Sequence, residues 1–190
     1  LWPLLAVGIA FLGKGESMNT QVASAADYIV LRPPERKDGA ALHDLIASCP
    51  PLDLNSRYAY LLLCEHHAAT CVVAEAEGQL VGAITAYIPP AKPDTLFIWQ
   101  VAVAPDMQGH QIASRMLDQL VARCAATYRF QKIETTISPS NIGSRKLFES
   151  YARRNKVDIQ AEPYLAASEF GAGQHEEEWL YQLGPGLRAA

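Results

Sequence analysis

Between Pro93 and Pro105 runs Asp94-Thr95-Leu96-Phe97-Ile98-Trp99-Gln100-Val101-Ala102-Val103-Ala104, and Gln108-Gly109-His110-Gln111-Ile112-Ala113-Ser114 follows at once. The first segment reads as a buried strand, because short apolar runs punctuated by prolines fit a covered sheet. The second reads as a turn and then a helix, opening near Gly109, with Ile112, Met116, Leu117, Leu120 and Val121 on one face. A helix begun this way offers unpaired backbone N–H groups and the positive end of its dipole, a setting that suits a pyrophosphate.

With 190 residues and 49% hydrophobic content, the chain can build one well-cored α/β domain but not two comfortable ones. Its net charge is −4 and it has no basic run, which argues against a nucleic-acid surface and suits cationic ligands. Cys49, Cys64, Cys71 and Cys124 lack CxxC spacing and lie in apolar segments. They read as buried free thiols of a cytoplasmic protein. Leu1 to Leu12 is apolar but too short to span a bilayer and lacks a basic flank ahead of it. Residues 1–27 are expected to be a disordered, non-domain segment, with 1–17 upstream of a start at Met18. The domain is expected over 28–184, with a tail at 185–190.

From Tyr28 onward the elements alternate. Ile29 to Arg32 reads as a strand. Asp38 is placed to cap a helix carrying Leu42, Leu45, Ile46 and Cys49. Asn55 or Ser56 opens a second helix, whose Tyr58, Leu61 and Leu62 predict cover on two sides. Thr70–Glu75 and Leu80–Ile88 form a hairpin around Glu77-Gly78. After the central strand and its helix come a strand at 133–137 and a helix opened by Asn141, carrying Leu147, Phe148 and Tyr151. Two late strands are expected near 157–159 and 179–182.

This β-α-α-β-β-β-α-β-α-β-β order resembles the GCN5-related N-acetyltransferase superfamily, as does the loop Gln108-Gly109-His110-Gln111-Ile112-Ala113. The superfamily pattern there is Arg/Gln-x-x-Gly-x-Gly/Ala. Gln108 and Ala113 fit it, while Gln111 stands at a glycine position. The fold that the resemblance implies is α/β (α+β): a mixed central sheet of about six or seven strands, helices on both faces, and two parallel central strands that splay apart. It also implies acetyl-coenzyme A as co-substrate. Backbone contacts would come from Gln100, Val101, Ala102 and Val103. The pyrophosphate would sit on Gln108, Gly109, His110, Gln111, Ile112, Ala113 and Ser114, with Asn141 as a further coenzyme contact. Pantetheine, a chain of amides, would act as a surrogate strand in the gap.

A narrower resemblance lies in Cys49-Pro50-Pro51-Leu52-Asp53-Leu54-Asn55-Ser56, Tyr58-Ala59-Tyr60-Leu61-Leu62-Leu63, Trp99-Gln100-Val101-Ala102-Val103, Glu134-Thr135-Thr136-Ile137 and His175-x-x-Glu178. These segments are similar to the L-2,4-diaminobutyrate acetyltransferase family of ectoine biosynthesis, over roughly residues 30 to 183. The resemblance implies acetylation of the 4-amino group of L-2,4-diaminobutyrate, and a homodimer. A diamino acid wants fixed anions, an aromatic face and a donor for its carboxylate. Asp53, Asn55, Trp99 and Glu178 are the candidate substrate contacts, and Glu178 and His175 the candidate base or proton relay. Local sequence alone also accommodates Asp53 as a helix cap, Trp99 as core and Glu178 as part of a solvated run.

Phe148 occupies the place where many superfamily members carry a tyrosine that reprotonates the thiolate, and Tyr151 lies one turn away. No metal is expected: adjacent His66 and His67 point to different faces of a helix, and His43 stands apart. Two other readings stay open, an acetyltransferase for another small amine and a catalytically inactive acetyl-coenzyme A-binding regulatory module.

Overall fold

Alternating and apolar runs become strands, and the 3.6-period runs become helices, in the order expected. The structure is a computed structural model and describes residues 28–171 and 175–185. The expectations for residues 1–27, and for the tail from 186 onward, fall outside the described residues. Seven strands, β1 (Val30–Arg32), β2 (Val72–Ala76), β3 (Gln79–Tyr87), β4 (Thr95–Val103), β5 (Lys132–Ile137), β6 (Ile159–Leu165) and β7 (Glu178–Leu183), form one sheet in the order β1-β2-β3-β4-β5-β7-β6. Only β4 and β5 run parallel; every other neighbouring pair is antiparallel. Glu77 and Gly78 join β2 to β3 with φ of 50° and 78°, the left-handed pair that matches the twist of a two-residue hairpin.

Helices cover both faces. On one, α1 (Gly39–Ala47) and α2 (Arg57–His66) pack Leu42, Ile46, Tyr60 and Leu63 against Val73, Ala83 and Ala102. On the other, α3 (Ile112–Thr127) and α4 (Ile142–Asn155) pack Met116, Leu117, Leu120 and Phe148 against Ile84, Leu96, Ile98 and Ile133. All four cysteines are buried and unpaired. Burial pushes the thiols of Cys64 and Cys124 up to about 11 and that of Cys71 to about 12.

A bulge in β4 decides which face each later residue serves. Thr85 pairs with Gln100 while Ala86 pairs with Ile98, so Trp99 has no partner across the ladder. Leu96 and Ile98 enter the α3/α4 core, yet Ala102 enters the α1/α2 core and Val101 and Val103 pack on the α3/α4 side. One extra residue has reversed the period-two alternation.

Four expectations change. Asp38 precedes α1 but makes no side-chain cap to it. Its carboxylate instead accepts two bonds from Arg32, at 2.6 and 3.1 Å, and the Glu35 N–H at 2.7 Å, because a cation in reach outcompetes a backbone amide. Tyr58, Leu61 and Leu62 are exposed, and α2 buries Tyr60, Leu63 and Cys64 instead. The third helix begins at Ile112, not Gly109. The strand expected near 157–159 runs instead from Ile159 to Leu165.

Candidate active site

The parallel pairing of β4 and β5 stops early. Thr95–Ile98 align with Lys132–Thr135, and beyond that the strands part. The Gln100 N–H points to β3, where it meets the Thr85 hydroxyl, and the Ala104 N–H reaches the Val81 carbonyl, also in β3. Strand alternation therefore turns the Ala102 amide to β3 and the Val101 and Val103 amides into the gap. Those groups lack a strand partner, and an acyl chain bearing amides fits such an edge.

A cavity of about 510 Å³ opens from this gap toward α3 and α4. Val101, Ala102, Val103, Gln108, Gly109, Gln111, Ile112, Ala113, Ser114 and Asn141 all line it. Its floor suits phosphate. The residue before α3, Gln111, sits at φ 59°, ψ 17° and makes no side-chain cap, so the first N–H groups of α3 are left for a ligand. Gly109, at φ 84°, supplies a second left-handed position with open space where a Cβ would stand. These features suit a pyrophosphate on the loop and an amide-bearing chain along β4. Gln111 takes this left-handed φ without glycine's freedom, at a cost of roughly 1–2 kcal/mol. Gln108 Nε2 donates to the Val103 carbonyl at 3.3 Å. Asn141 is also the cap of α4, its Oδ1 accepting the Ser144 N–H at 3.0 Å. His110 does not line this cavity, and Gln100 lines the neighbouring one.

That second cavity, about 660 Å³, shares Pro51, Leu52 and Asn141 with the first. Asp53, Trp99, His175 and Glu178 meet in it, although more than 120 residues separate Asp53 from His175 in the chain. Asp53 Oδ2 lies 3.0 Å from His175 Nε2, and His175 Nδ1 lies 2.6 Å from the Glu176 carbonyl. The Phe170 ring stacks on the imidazole at 3.7 Å. The Glu176 carbonyl first, then the carboxylates of Asp53 and Glu178, hold the imidazolium above its ordinary range. Burial pushes the Glu178 carboxyl upward, against His175 and a hydrogen bond with Thr136 that lower it.

Asp53 does not cap α2, because Ser56 does, accepting the Ala59 N–H at 3.2 Å. Trp99, at 39% exposure, is cavity wall and not core. Glu178 opens β7, half-buried rather than solvated. Asn55 lines neither cavity; its backbone N–H donates to the Tyr60 hydroxyl at 3.3 Å. Tyr60 in turn donates to Gln100 Oε1 at 3.2 Å, and Gln100 Nε2 donates to the Asp53 carbonyl at 2.7 Å. The buried Gln100 amide thus fixes the loop that carries Asp53. Tyr151 is core, lines neither cavity, and has its phenol pushed up to about 12 by burial.

Sequence reading missed Tyr87, Lys92, Glu134, Thr136, Tyr164 and Phe170, which also line the second cavity. Glu134 and Thr136 carried a signal: two polar residues at i and i+2, on the opposite face from Ile133 and Ile137. Among the described residues no group of three or more His, Cys, Asp or Glu side chains is placed to hold a metal, and no helix is long and apolar enough to cross a membrane.

The family model of the acetyltransferase (GNAT) family matches residues 39–152. An L-2,4-diaminobutyric acid acetyltransferase of Bordetella parapertussis is 45% identical over 180 residues, covering 90% of this chain and 96% of that protein. Its counterpart in Streptomyces avermitilis is 46% identical over 153 residues, covering 80% and 86%. A solved diaminobutyrate acetyltransferase of Paenibacillus lautus, in complex with L-2,4-diaminobutyric acid and coenzyme A, is 42% identical with a TM-score of 0.80, covering 83% of this chain and 95% of that one. The chain belongs to the acetyltransferase (GNAT) family and, within it, to the L-2,4-diaminobutyric acid acetyltransferases.

Proposed function

We propose that this enzyme transfers the acetyl group of acetyl-coenzyme A to the 4-amino group of L-2,4-diaminobutyrate, giving the N4-acetyl product that feeds ring closure to ectoine. The observation that carries the reading is the meeting of the two cavities at the β4/β5 gap, with the acidic residues gathered in the cavity away from α3. Acetyl-coenzyme A supplies the acyl group as a thioester. The chain supplies the rest. The Val101 N–H, aimed into the gap, polarises the thioester carbonyl. Trp99 and Asp53 hold ammonium groups of the diamino acid.

An amine must lose a proton before it attacks. Glu178 is the acceptor in this reading, because its carboxyl is held above its ordinary range beside the gap. His175, braced by Asp53 and Phe170, passes the proton outward. Phe148 is 1% exposed within the core and Tyr151 beside it lines neither cavity, so neither reprotonates the thiolate.

A cytoplasmic homodimer with its catalytic domain at 28–184 completes the proposal, and the exposed Tyr58, Leu61 and Leu62 of α2 offer an apolar face for the second copy. The test is incubation with acetyl-coenzyme A and L-2,4-diaminobutyrate, followed by NMR of the product. Acetylation at N4 is expected, with ornithine and 2,3-diaminopropionate turned over on the order of 10²-fold less well, since about 1 Å of misplacement costs that much. Acetylation at N2, or equal use of all three diamino acids, overturns it.

A further inference from the structure

Four carboxylates, those of Asp53, Glu134, Glu176 and Glu178, line the acceptor cavity, yet a 2-amino acid brings a further carboxylate into it. Among the described residues lining it, Lys92 is the one lysine or arginine. Its Nζ donates to Glu134 Oε2 at 2.8 Å, and its side chain remains 43% exposed, so two of its three N–H donors stay open to a ligand. Glu134 is a built anchor. It is 1% exposed and also accepts from Gln182 Nε2 at 2.8 Å, with Lys132 Nζ at 3.4 Å. Lysine so held stays charged, as the Glu134 carboxylate favours the ammonium form.

Position matters as much as charge. Glu134 aligns with Phe97 where β4 and β5 still pair, whereas Thr136, which bonds Glu178, lies two residues further along β5 and past the last paired position. At roughly 3.3 Å per residue the two stations stand about 6–7 Å apart on one face of the strand. The Lys92–Glu134 pair and Glu178 thus occupy separate stations of one cavity, one for each end of an amino acid.

We propose that Lys92, positioned by Glu134, binds the substrate carboxylate and so selects a 2,4-diamino acid over the corresponding simple diamine. This rests on the reaction proposed above. The repulsion of the carboxylate by Asp53, Glu176 and Glu178 at the other end enforces the same orientation.

The test compares L-2,4-diaminobutyrate with 1,3-diaminopropane, which is the same molecule without its carboxylate. In Lys92→Met the KM for L-2,4-diaminobutyrate should rise at least about tenfold, the scale of one charge-assisted hydrogen bond, with a much smaller change in kcat. The preference for the amino acid over the diamine should fall by the same factor, and Lys92→Arg should restore most of it. Because Lys92→Met leaves Glu134 short of one partner, Lys92→Met/Glu134→Gln serves as the control for local misfolding, and its preference should fall equally. Equal losses on both acceptors, or an unchanged preference, overturn the assignment while the reaction stands. Failure of the unaltered enzyme to acetylate L-2,4-diaminobutyrate overturns both.

Discussion

The Thr85 hydroxyl accepts the backbone N–H of Gln100 at 3.1 Å, at the position where the bulge around Trp99 takes the β3–β4 ladder out of register. A side chain here does the work of a carbonyl. The buried amide keeps a partner, the bulge keeps its shape, and Trp99 is left to face the acceptor cavity while Gln100 turns inward to hold Asp53.

Thr85→Val should therefore cost about 1–3 kcal/mol of stability, because the Gln100 amide is left buried without an acceptor. Its kcat/KM should fall further than a variant of equal instability elsewhere in the core. Urea unfolding and steady-state kinetics on Thr85→Val and Thr85→Ser check this, with Thr85→Ser close to the parent on both measures.

Gln111→Gly relieves a left-handed φ of 59° at the start of α3. Acetyl-coenzyme A should bind as well as before or up to several-fold more tightly, the gain limited by the extra freedom of glycine in the unliganded loop. Calorimetric titration decides: clearly weaker binding would assign the Gln111 side chain a direct contact.

Asp53→Asn and Glu178→Gln each remove a carboxylate from the acceptor cavity. Loss of a charge partner for an ammonium costs roughly 2–4 kcal/mol at half-buried Glu178 and about 1 kcal/mol at Asp53, whose side chain is 73% exposed. The kcat/KM for the amine should drop tenfold or more in Glu178→Gln and several-fold in Asp53→Asn, with coenzyme affinity nearly unchanged. Parent-like amine kinetics in both would return these residues to a purely structural role.

The pH dependence carries two signs to check. Glu178 is held above its ordinary 4.5, so its carboxylate forms later than a free glutamate's and the acid limb of kcat/KM should lie above that value. Glu178→Gln should abolish that limb. His175 is held above 6.5 in the folded state, so its contribution to stability is complete below 6.5 and fades as pH rises through the folded value. Thermal unfolding of His175→Gln should show a flatter decline than the parent across that interval.

Local rules made some of this protein readable from its residues. The turn at Glu77-Gly78, the turn at Gln108-Gly109 that leads into α3, the cap at Asn141 and the core faces of α1 and α3 all arise from neighbours within a few positions. Capping, left-handed turns and the 3.6 period act at that range. The loop proposed for the coenzyme was visible for the same reason. Family likeness added Asp53, Trp99, His175 and Glu178, which no spacing rule connects.

Long-range contact decided the remainder. Arg32 took Asp38 from the helix it precedes, and Tyr60 turned inward while Tyr58, Leu61 and Leu62 faced out. The bulge at Trp99 exchanged the faces of β4, a reversal that a run with apolar residues on both sides of Gln100 conceals because both faces are apolar. Lys92 and Glu134, 42 residues apart, became a pair only when β5 lay beside β4. Sequence determined the elements and the left-handed turn before α3, which depend on neighbours along the chain. Tertiary structure decided the acceptor site, since its chemistry is made of charges brought together across the sheet.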